Sequence, residues 1–128
     1  MLLIRIKKIG FTLIEVVIAL AILGMGLTAV MGYLPVAFRA SKKADDLSKA
    51  TLIARSLFEE IKDAAKDNIT NIVSSEYQNY ADYPGFEYKV DADLLGQICT
   101  VTITVRWKFY GEQNEEKFET KIVKYNAG

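Results

Sequence analysis

The chain has 128 residues, its 16 Lys and Arg are balanced by 16 Asp and Glu, and it carries no histidine and a single cysteine. That balance gives no basic footprint, so nucleic acid is not expected as a direct ligand. The missing histidine removes the commonest general base and metal ligand, and one cysteine cannot make an internal disulfide. No cofactor or metal is expected, and a chain of this length holds one domain with a modest core.

Residues 1–10 set Arg5, Lys7 and Lys8 among Leu2, Leu3, Ile4 and Ile6, and end in Gly10. Residues 16–38 then carry no formal charge, a run long enough to cross a bilayer as a helix, which takes ~20 apolar residues at ~1.5 Å each. Glu15 stands at the head of that run, and a charged residue at the centre of such a helix costs about 2.5–3.5 kcal/mol on insertion scales. A secretory signal peptide fits poorly, because the run exceeds the usual ~7–15 residues and no A-x-A cleavage site closes it. A plain membrane anchor fits, with Glu15 snorkelling to the headgroups, but it leaves Gly10 unexplained.

The hexapeptide Gly10-Phe11-Thr12-Leu13-Ile14-Glu15 resembles the processing motif of type IV prepilins and of the pseudopilins of type II secretion. The resemblance implies that the leader 1–10 stays cytoplasmic, that a prepilin peptidase cuts between Gly10 and Phe11, and that Phe11 is N-methylated. It implies that Glu15 meets the amine of a neighbouring subunit as a filament grows. Implied partners are other pilin or pseudopilin subunits and an inner-membrane assembly platform driven by a separate cytoplasmic ATPase. The physics agrees: Gly10 lacks a Cβ and can enter a narrow protease site, and an ion pair at ~4 Å is worth about 4 kcal/mol at an effective dielectric near 20, offsetting much of the burial cost. Charge alone does not orient the span, because Arg39, Lys42 and Lys43 follow it about as densely as the leader charges precede it. The leader resemblance puts the N-terminus in the cytoplasm and everything after residue 38 outside.

From Phe11 a helix is expected to run to about Lys66, with residues 11–38 in the membrane or a filament core and residues 39–128 forming the soluble part. Gly24, Gly26, Gly32 and Pro35 weaken the first half; they allow either close packing of small residues or a bend. Over residues 41–67, Ala44, Leu47, Ala50, Ala54, Leu57, Phe58, Ile61 and Ala65 recur every three or four positions and mark one helix face.

Residues 67–85 are rich in turn formers and read as a connecting loop. Its Tyr77, Tyr80 and Tyr83, with Phe86 and Tyr88, either pack the linker onto the domain or present a contact surface. The period then changes to two. Phe86, Tyr88, Val90 and Ala92 alternate with charged residues up to a Leu95-Gly96 turn, and Cys99, Val101, Ile103, Val105, Trp107 and Phe109 form one face of the clearest strand. A turn over residues 111–116 leads to a third strand, 117–125, in which Ile122 and Val123 suggest a bulge. Cys99 and Trp107 read as core. Acidic pairs such as Asp45-Asp46 lack EF-hand spacing and read as solvated faces.

The expected fold is α+β: a long N-terminal helix packed on a small antiparallel sheet at residues 86–125, as in type IV pilin-like subunits. The segment 16–24, the helix end near Phe58-Glu59-Glu60-Ile61 and the strand with Val105-Arg106-Trp107 are most similar to PilV-type minor pilins and the small type II secretion pseudopilins. The abundant pilins of that family pin a C-terminal loop with a disulfide, which one cysteine cannot do, so a minor component is expected. The expected function is a minor pilin that assembles into or initiates a type IV pilus. The alternatives are a type II secretion or competence pseudopilin and, from another class, a membrane-anchored binding module that never polymerises. No nucleophile, base and orienting group can be assembled, so no enzyme is expected. The expected location is the cytoplasmic membrane, in a single pass, and then the cell surface or pilus after assembly.

Overall fold

In the computed structural model, which describes residues 10–123, helix α1 (Leu13–Asp67) is followed by a 3₁₀ turn (Ile69–Asn71) and strands β1 (Gln78–Asn79), β2 (Phe86–Leu95), β3 (Ile98–Phe109) and β4 (Glu112–Val123). The leader cations Arg5, Lys7 and Lys8, and the strand end at Lys124 and Tyr125, lie outside the described residues. The chain divides into two compact units between Ser41 and Lys42.

In the first unit, α1 starts at Leu13 rather than Phe11 because Thr12 takes the capping position: the amides of Glu15 and Val16 donate to the Thr12 carbonyl at 3.1 and 3.2 Å. Its apolar side chains are almost all exposed. The helix continues through Pro35, and the Thr28 hydroxyl donates to the Gly24 carbonyl at 2.8 Å.

In the second unit, the rest of α1 packs on one face of a four-stranded antiparallel sheet in the order β1-β2-β3-β4. The sheet is a meander because both hairpins close in two residues. Leu95 pairs with Ile98 around Gly96 and Gln97, and Gly96 supplies a positive φ of 64°. Phe109 pairs with Glu112 around Tyr110 and Gly111, with φ of 49° and 83°, the signature of a type I′ turn that matches the twist of the strands. Tyr110 holds this unusual conformation with its ring edge-on to Phe109, centroids 4.7 Å apart. The second turn is therefore two residues, not the expected 111–116, and residues 112–116 already belong to β4. No bulge interrupts β4: the β3–β4 register is continuous from Ile98↔Val123 to Phe109↔Glu112, which places Ile122 inward and Val123 outward.

The core joins Ala50, Ile53 and Leu57 of α1 to Val90, Cys99, Val101, Ile103, Val105 and Trp107. Of the expected helix stripe, Ala50, Ala54 and Leu57 are buried and Phe58, Ile61 and Ala65 half-buried, whereas Ala44 and Leu47 are exposed. The buried line runs instead through Asp46, Ala50, Ile53 and Leu57, at spacings of four, three and four, so the face is rotated slightly from the apolar pattern. Asp46 is a carboxylate within that face, 2 % exposed, and accepts from Lys42 Nζ at 2.8 Å. It is thus not the solvated acid its neighbour Asp45 is; Asp45 pairs with Lys49 at 2.9 Å on the exposed side.

The stretch 67–85 contains more order than turn formers suggest. Asn68 caps the 3₁₀ turn by accepting from the Thr70 amide at 3.1 Å. The Ser74 hydroxyl bonds both the amide and the carbonyl of Ala92, and the Ser75 amide donates to the Val90 carbonyl at 2.8 Å, so the segment runs along the β2 edge before β1 forms. The aromatic rings pack on each other: Tyr80 stacks on Tyr83 and meets Tyr88 edge-on, Tyr83 meets Phe86, and Phe86 stacks on Trp107 at 5.7 Å. Tyr77 is the exception. It lies with the Arg106 guanidinium 3.5 Å above its ring, and Arg106 also donates to Glu87 on β2.

Candidate functional site

Gly10 and Phe11 precede α1, outside any helix or strand, and Phe11 is 88 % exposed. A residue outside the helical ladder leaves its backbone free for a protease, whereas a helical one would first have to unwind. Glu15 sits in the first turn, where its Oε2 accepts from the Thr12 amide at 3.0 Å while the Thr12 hydroxyl accepts from the Glu15 amide at 3.4 Å. Thr12-x-x-Glu15 is thus a reciprocal capping box, which satisfies otherwise orphaned amides at the helix start, and the negative carboxylate favours the positive end of the helix dipole. The sequence carried the signal for this, a Thr followed three residues later by Glu before an apolar run.

Beyond Glu15, an open groove along the helix is lined by Phe11, Val16, Ala19, Leu20 and Leu23. Over this segment the helix is long and apolar enough to cross a membrane, and none of that window is buried within the protein itself. Apolar side chains left exposed on this scale require lipid or another apolar helix as their surroundings. The segment thus has the length and apolarity of a membrane anchor, with one acid at its start.

In the second unit, Cys99 is buried, and burial, with a smaller contribution from the Asp93 carboxylate, pushes its thiol pKa up. A thiol so placed is a poor nucleophile. Among the described residues, no three His, Cys, Asp or Glu side chains gather into a metal-binding group. Two polar features escaped sequence reasoning, the buried Asp46–Lys42 pair and the Arg106–Tyr77–Glu87 stack. A charge at i, i+4 inside an apolar stripe could have flagged the first; the second depends on the strand register and had no local signal.

A helix opened by Gly-Phe-x-x-x-Glu, apolar through its first half and laid on a small antiparallel sheet in its second, is the architecture of a prepilin-type subunit. Residues 5–31 match the prokaryotic N-terminal methylation motif. Over 123 aligned residues the chain is 48 % identical to the type II secretion system protein I of Xanthomonas campestris pv. campestris, covering 84 % of this chain and 83 % of that protein. The chain belongs to the pilin and pseudopilin family. No solved structure matches it.

Proposed function

We propose that this protein is a minor pseudopilin of a type II secretion system, a structural subunit rather than a catalyst. The observation that carries this is the reach of the similarity: it extends over 84 % of the chain, far past the motif at residues 5–31 that pilins and pseudopilins share. That favours the secretion pseudopilin over the minor pilin of a type IV pilus that the sequence put first.

In this reading the leader 1–10, with Arg5, Lys7 and Lys8, is held in the cytoplasm and a prepilin peptidase cuts between Gly10 and Phe11. Residues 11–38 store the subunit in the inner membrane, and residues 39–128 lie outside. The new amine at Phe11, once methylated, remains cationic and lies beside the Glu15 carboxylate of an adjacent subunit, so each offsets the other's cost in an apolar surround. Burial of the exposed helix against other subunits' helices replaces lipid contacts in a helical, non-closing polymer. The work of extraction falls to an assembly platform and a separate cytoplasmic ATPase.

Deletion of the gene tests the assignment. Loss of extracellular enzyme release with intact surface pili, restored by the gene for the Xanthomonas protein, is the expected result. Loss of pili with normal secretion would return the chain to the type IV pilus. Mass spectrometry of the mature protein separates both from the non-polymerising anchored module, which would keep its leader and an unmethylated terminus.

A further inference from the structure

We draw no further inference here: the strongest candidate, the apolar end of the sheet's outer face where Leu95, Ile98 and Val123 form one exposed row across β2, β3 and β4, carries nothing because nothing in the structure shows what covers it.

Discussion

The pair Lys42–Asp46 makes an asymmetric prediction. Lys42 has a side chain 55 % exposed, while that of Asp46 is 2 % exposed, with 2.8 Å between ammonium and carboxylate. Removing the lysine leaves a carboxylate inside the helix–sheet interface without its donor. A buried unsatisfied group costs ~1–3 kcal/mol and more when charged, so we assign Lys42→Met about 2 kcal/mol. Removing the charge from the acid is a different operation. Asp46→Asn keeps the shape and an acceptor, and Lys42 can turn to solvent, so its cost stays under ~1 kcal/mol. The double variant should cost less than the sum, since neither side then leaves a bare charge. Trp107 is the chain's one tryptophan and stacks on Phe86 in the core, so its fluorescence reports unfolding of this unit. In urea, with a slope of about 1 kcal/mol/M for a domain of this size, Lys42→Met should lower the midpoint by ~2 M. A midpoint for Lys42→Met at or above that of Asp46→Asn would refute the reasoning.

Glu15→Val should leave leader removal intact and block incorporation into filaments, read by cross-linking and secretion assays; Glu15→Gln keeps a capping side chain and loses the charge, so if it assembles normally the ion-pair role is wrong. Ile53→Ala, at a position with no exposure, should cost ~2–5 kcal/mol in the same urea assay, whereas Leu52→Ala, at a residue 48 % exposed, should cost under ~1 kcal/mol. Native Cys99 should resist maleimide at mildly alkaline pH and react only once the domain unfolds, because burial raises its pKa. The Lys49 hydrogen bond and charge lower the Asp45 pKa, and Asp45 raises that of Lys49. The contribution of this pair should be constant through neutral pH, lost in acid as pH falls through the depressed Asp45 value and in strong base as pH rises through the raised Lys49 value; a change in helix stability between pH 6 and 8 that Asp45→Asn abolishes would contradict it.

The sequence was most legible where a period repeats without interruption. β3 alternates without a break from Cys99 to Phe109, and its inward face was read residue by residue. The helix stripe was read through Ala50, Ala54 and Leu57, but an apolar search passes over a charged residue, and so it missed Asp46, whose carboxylate is met by Lys42 one turn earlier in the helix. The start of β4 was lost for a related reason: residues 112–116 are polar on both faces because an edge strand is solvated, and with Gly111 before them they read as a turn. Arg106 on Tyr77 needed the register of β1 against β2, which local spacing cannot supply. At Glu15 the letters were seen and half their content used, because the same six residues encode both a processing motif and a helix cap.

That overlap has a consequence for maturation. The bond proposed for cutting lies two residues upstream of the first helical one, and both hydrogen bonds of the Thr12–Glu15 clasp lie on the retained side. Trimming the tail therefore asks nothing of the rod: no turn melts and no new fold is required. The change that the proposed cut would bring is electrical, a positive end that in a filament would face the Glu15 carboxylate of an adjacent subunit.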